Sequence, residues 1–108
     1  MGLDASVFRD DEEAHRIASV RLGNIAQIAY LSDTISRSVP TATVLLEKVL
    51  YSGSHAGDEL RPEEVLRVGE ELAEVSRTIR GDTEVQAFVS RFQDVVEVAL
   101  QNVRPITF

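Results

Sequence analysis

The apolar residues Val85, Phe88, Val89, Phe92, Val95, Val96, Ala99 and Leu100 recur at intervals of three and four. That spacing lines them along one wide stripe of an α-helix, wide enough to be covered from more than one side. Such a helix is the centre of a core, and the rest of the chain has to supply its cover. The period changes towards the N-terminus. Leu3, Ala5 and Val7 alternate with Asp4 and Ser6, and Ala18, Val20 and Leu22 alternate with Ser19 and Arg21. This two-residue repeat belongs to half-buried strands. Residues 1–23 therefore read as a β-hairpin joined by the polar run Asp10-Asp11-Glu12-Glu13. One long helix from Asp11 to Ser38 competes with that reading, but Gly23-Asn24 interrupts it.

Between hairpin and central helix the pattern is helical. Asn24 suits an N-cap, and Gln27 three residues on can return the bond as a capping box. The helix to Ser38 is expected to bury Ile25, Ile28, Ala29 and Ile35. Val39-Pro40 breaks it, because Pro40 has no N–H and pushes its predecessor out of the helical region. Thr41 can then cap a short helix carrying Val44, Leu45, Leu46, Val49 and Leu50. Pro62 suits the first turn of the next helix, whose stripe is Val65, Val68, Leu72, Val75 and Ile79, with Gly81 as its C′ residue. Thr83 and Gln86 form a capping box for the central helix. Arg104–Phe108 reads as a short strand that Pro105 confines to a sheet edge or a strand start. The expectation is a single α+β domain of about four helices packed with a small antiparallel sheet. Its parts are the hairpin 1–23, a helical region 24–102 containing a loop at 51–61, and a C-terminal strand at 103–108.

Composition excludes several classes of function. The chain of 108 residues holds no cysteine, so disulfides, thiolate metal sites and cysteine nucleophiles are out. A formal charge of −7 disfavours nucleic acid and anionic membrane surfaces, which need clustered Lys and Arg. No apolar run approaches the ~18 residues that cross a bilayer, and the N-terminus lacks the basic start of a signal peptide. Met1-Gly2 with Ser6 matches a loose myristoylation pattern, but a small strand fits these residues better. A cytoplasmic protein is expected. Its acidity is concentrated: Asp58 to Glu74 holds seven carboxylates and two arginines. Glu63, Arg67, Glu70 and Glu74 share one side of the helix after Pro62. With Glu59 they form a candidate acidic face, which would suit a basic partner.

The run Tyr51-Ser52-Gly53-Ser54-His55-Ala56-Gly57-Asp58 is the stretch that packing alone does not require. Its residue types allow three kinds of chemistry. Ser52 or Ser54 with His55 and Asp58 offers the parts of a hydrolase, but neighbours so close in sequence rarely reach nucleophile–base–orienter geometry. His55 with Asp58 offers part of a metal site, without the third and fourth ligands. The glycines offer backbone N–H groups to an anion, against the surrounding carboxylates. A structural role is simpler, with Asp58 accepting N–H groups in the Gly57 turn and His55 anchoring the loop. Tyr30 and Tyr51 read as core-edge residues with wet hydroxyls. Neither a cofactor nor an enzymatic activity is expected.

Four segments together, Met1-Gly-Leu-Asp-Ala-Ser-Val7, Arg21-Leu-Gly-Asn24, the loop Tyr51–Asp58 and Pro105-Ile-Thr-Phe108, resemble a family of small bacterial proteins. That family is similar to the predicted immunity proteins of polymorphic toxin systems, marked by a Gly-Asn pair and a Ser-Gly-x-His-x-Gly-Asp-like loop. The resemblance implies an α+β cytoplasmic protein that binds and blocks a cognate toxin. It places weight on Gly23, Asn24, Ser52, Gly53, His55, Gly57 and Asp58. A small self-associating module that pairs strands as a homodimer is the alternative, and a hydrolase or metal site at His55 and Asp58 is the third reading.

Overall fold

The computed structural model describes residues 2–9, 15–51 and 58–108. Strand β1 (Gly2–Phe8) and strand β2 (Arg16–Asn24) form the expected hairpin, closed by a bond from the Arg9 N–H to the His15 carbonyl at 2.7 Å. The acidic connection proposed at 10–13 lies outside the described residues. Helix α1 (Ile25–Ser38) follows β2 directly, so the alternative of one long helix from Asp11 is wrong. A π-helical turn at Leu45–Val49 replaces the short α-helix expected there. Strand β3 (Glu59–Leu60), helix α2 (Pro62–Thr78), helix α3 (Thr83–Asn102) and strand β4 (Ile106–Thr107) complete the α+β chain.

The antiparallel sheet runs β2-β1-β4-β3. The C-terminal strand is therefore interior, not an edge, and Pro105 marks its start. What moves it inside is β3, a strand of two residues too short for any periodicity to announce. Leu60 pairs with Ile106 and Glu59 with Thr107, which leaves β2 and β3 as the two edges.

One face of the sheet carries Leu3, Ala5, Val7 and Leu22, all buried against α1 and α3. Its other face is polar. There Arg21 Nε donates to Asp4 Oδ1 at 2.8 Å, and Ser6 and Ser19 pair their hydroxyls at 3.2 Å. Helix α3 is central, as its stripe requires: it packs on the sheet and on α2. Val85, Phe88, Val89, Phe92, Val95, Val96 and Ala99 are buried, each side chain contributing roughly 1.5–3 kcal/mol for the larger ones. Phe88 meets Phe92 edge-on with ring centres 5.8 Å apart, and Phe92 meets Phe108 at 6.4 Å. Leu100 departs from the stripe and stays 39% exposed.

Three other details differ from the sequence pattern. In α1 the buried residues are Ile28, Leu31 and Ile35, while Ile25 and Ala29 face solvent. Ile25 begins the helix beside Asn24, which pairs with Gly2 at the rim of the sheet, so its turn has little to pack against. At α3 the N-cap is Asp82, whose carboxylate accepts the Glu84 and Val85 N–H groups at 3.0 and 3.1 Å. Thr83 is thus already helical. Gln86, instead of boxing it, donates to the Ser76 and Ile79 carbonyls at the end of α2. Because α2 ends at Thr78 with Ile79 as C-cap, Gly81 lies one residue beyond the C′ position.

Candidate functional site

The π-turn explains how the acidic segment is organised. A π-turn leaves amide groups without partners at its start, and here a distant carboxylate takes them. Glu71, on the inner side of α2 and only 6% exposed, accepts the Leu45 N–H at 2.8 Å and the Val44 N–H at 3.3 Å. Arg67 stands 3.4 Å from the same carboxylate. Glu64 is a second inward carboxylate, 3.2 Å from Lys48 of the π-turn and accepting the Arg61 N–H at 3.1 Å. Partial burial pushes its pKa up, but the Arg61 amide and the Lys48 ammonium outweigh it and the net shift is downward. The residue at the N-cap of the π-turn is Val44 and not Thr41, and it supplies no side-chain cap.

The remaining acids stay outside. Glu59, Glu63, Glu70 and Glu74 are all exposed, with Glu63 3.4 Å from Arg61 and Glu74 paired to Arg77. Exposed pairs of this kind are worth about 0–1 kcal/mol, so an incoming cation competes with them easily. The seven carboxylates seen in the sequence therefore divide by use: Glu64 and Glu71 hold the fold, Asp58 bonds to Tyr51, and Glu59, Glu63, Glu70 and Glu74 stand exposed.

Of the loop, Ser52, Gly53, Ser54, His55 and Gly57 lie outside the described residues; its two ends are described. The Tyr51 hydroxyl donates to Asp58 Oδ2 across the neck, and this bond raises the tyrosine pKa. The Asp58 carbonyl accepts the Phe108 N–H at 2.8 Å, tying the exit of the loop to the residue after β4. The Asp58 carboxylate is thus engaged with Tyr51 at the neck, a role that sequence spacing did not suggest.

Asn24 is not near this neck. It sits on the β2 edge while the loop leads into β3 at the other edge, three strand spacings or roughly 14 Å away across the sheet. Its predicted capping box is present, with Asn24 Oδ1 accepting the Gln27 N–H and Gln27 Oε1 accepting the Asn24 N–H, both at 2.8 Å. The neighbouring glycine has a packing reason: a Cβ on Gly23 would stand 3.1 Å from Gln27 Cβ and 3.2 Å from Gln27 Oε1. The Gly-Asn pair is accounted for by the start of a helix. Tyr30 has a similar task. Its hydroxyl donates to Asp82 Oδ2, which raises the phenol pKa and, together with the Val85 and Glu84 amides, lowers that of the carboxylate.

A feature that sequence reading missed lies between α2 and α3. An open furrow of about 490 Å³ is lined by Leu66, Gly69, Glu70, Val96, Glu97 and Leu100, flanked by Gln93 and Gln101. Leu66 is 55% exposed, far more than an apolar residue facing a finished core. The signal in the sequence was Leu66 falling outside the α2 stripe, three residues before Gly69 and so one helical turn from it.

No family model, no curated protein and no solved structure matches the chain. Among the described residues no helix is long and apolar enough to cross a membrane, and no group of three or more His, Asp or Glu is placed to hold a metal ion.

Proposed function

We propose that this is a non-enzymatic binding protein that meets a basic protein partner through the acidic side of α2. The sorting of carboxylates carries this reading. Glu64 and Glu71 are consumed in holding the π-turn, whereas Glu59, Glu63, Glu70 and Glu74 remain outside and only weakly paired. Tyr51 with Asp58 and Tyr30 with Asp82 bond to each other and to backbone, and Asn24 caps a helix. These are structural uses of groups that could otherwise have served chemistry. The nature of the partner comes from the family resemblance of the Gly-Asn pair and the 51–58 loop: a toxin, neutralised when this face covers its basic groove.

Electrostatic encounter makes a specific demand. Association with a candidate basic toxin domain should be fast at low ionic strength and slow as salt rises through the ~8–10 Å screening regime. Stopped-flow association rates measured between low and high salt test this, and a rate indifferent to salt would sink the electrostatic reading.

Self-association is the second reading, and the site for it differs from the one the sequence suggested. Strand β4 is internal, but β2 presents a nine-residue edge paired only to β1. A homodimer through β2 predicts a doubled mass in sedimentation at micromolar concentration, and a clean monomer removes it.

A further inference from the structure

The furrow between α2 and α3 has a chemical character that names its occupant. Its floor is apolar and unusually low: Gly69 offers no side chain, and a Cβ placed there would meet Val96 Cγ1 at 3.2 Å. Its walls are Leu66 and Leu100, exposed at 55% and 39%. Charge lines it on both sides with one sign, Glu70 from α2 and Glu97 from α3, and no cation is among its lining residues. The nearest arginines along α2 are already engaged, Arg67 by Glu71 and Arg77 by Glu74. Two packed helices with a low furrow between them accept a third helix in the manner of ridges entering a groove. The bordering carboxylates select its charge.

We infer that the furrow lined by Leu66, Gly69, Val96 and Leu100 receives a basic amphipathic helix of the partner, with apolar side chains on the floor and Lys or Arg against Glu70 and Glu97. This deepens the proposed acidic-face binding, on which it rests, by naming the structural element that is bound. A purely polar basic loop would leave Leu66 and Leu100 uncovered. An acidic or neutral helix would leave Glu70 and Glu97 facing apolar or like-charged surface.

The test uses synthetic peptides of about 18 residues, long enough to hold a helix. One carries leucines at a three-four spacing flanked by lysines and arginines, one has glutamates in place of the cations, and one has the basic composition scrambled. Titration into the ¹⁵N-labelled full chain should move the amide signals of Gly69, Val96, Glu97 and Leu100 with the first peptide alone. Leu66→Asp, at an exposed position, and the pair Glu70→Lys with Glu97→Lys should each weaken that binding at least tenfold while leaving the spectrum of the free protein otherwise unchanged. Equal binding of the scrambled peptide, or shifts confined to Asp58–Glu63, would overturn the inference. If that happens while association with a basic toxin domain remains salt-dependent, the furrow assignment alone falls. A salt-independent association removes the reading beneath it as well.

Discussion

Replacing Glu71 should reveal how strongly the acidic segment is tied into the fold. Its carboxylate takes two amide N–H groups of the π-turn, one of them fully buried at 2.8 Å and the other longer at 3.3 Å. A hydrogen bond to a charged group is worth about 1.5–3 kcal/mol, and a buried amide left without a partner costs about 1–3 kcal/mol. The removed carboxylate returns some desolvation energy, so Glu71→Ala should lose about 3 kcal/mol in total. Set against a typical stability of ~5–15 kcal/mol, that is a large fraction. Urea denaturation followed by far-UV circular dichroism is the assay. With a slope near ~1.5 kcal/mol per molar, the midpoint should fall by about 2 M. Glu71→Gln keeps an oxygen for the Leu45 amide but gives up the charge, and should lose about half as much. Arg67→Ala removes only an ion pair whose arginine is 60% exposed, and should stay within about 0.5 kcal/mol of the parent. If Glu71→Ala also stays within that range, or if Arg67→Ala costs as much, the carboxylate is not the cap of the π-turn.

The other local devices give smaller effects. Val103 closes α3 in the left-handed region at φ 50° although it is β-branched and 72% exposed, so Val103→Gly should stabilise by about 1 kcal/mol, raising the melting temperature by several degrees; a lower melting temperature would contradict the strain. Asn24→Ala removes the capping box and should cost about 1 kcal/mol in the same thermal scan, with no change in partner affinity if Asn24 serves only the helix. Titration carries opposite signs for Asp82 and for the two tyrosines. Asp82 has a lowered pKa, so its contribution is present above the ordinary aspartate range and is lost as pH falls below about 4. Tyr30 and Tyr51 have raised pKa values, so theirs is present below pH ~10 and lost as pH rises through the folded values. Ultraviolet absorbance of the phenolates should place both of the chain's tyrosines above free tyrosine; ionisation of either at or below the free value would refute its bond to Asp.

Much of this architecture was legible because it depends on local periodicity. The alternation at Leu3–Val7 and Ala18–Leu22, the Asn24–Gln27 box, the break at Pro40, Pro62 at a helix start and the stripe of α3 all follow from residues within a few positions of one another. What was not legible depends on groups far apart in sequence. The π-turn is held by Glu71, twenty-six residues beyond Leu45; helical spacing puts that glutamate on the inner side of α2 and Glu70 on the outer, but nothing local shows that it caps a distant turn. Strand β3 is too short to have a period, and it exists because β4 arrives beside it from the far end of the chain. Gln86 was read as half of a capping box and instead crosses to the end of α2, where two carbonyls lacked partners. For the candidate site, the exposed residues Glu59, Glu63, Glu70 and Glu74 follow from composition and helical spacing, but the use of Glu64 and Glu71 in holding the π-turn required the fold. The furrow beside it arises only when α2 and α3 are packed together.

The central claim is that the exposed carboxylates of α2 meet a basic toxin. The most direct measurement is survival of cells expressing a candidate basic toxin domain, with the wild-type chain or with a chain carrying Glu63→Lys, Glu70→Lys and Glu74→Lys. All three positions are exposed, so the reversed chain should fold and accumulate normally. Protection by the wild type and its loss in the reversed chain is the predicted result. Equal protection by both chains would contradict the account.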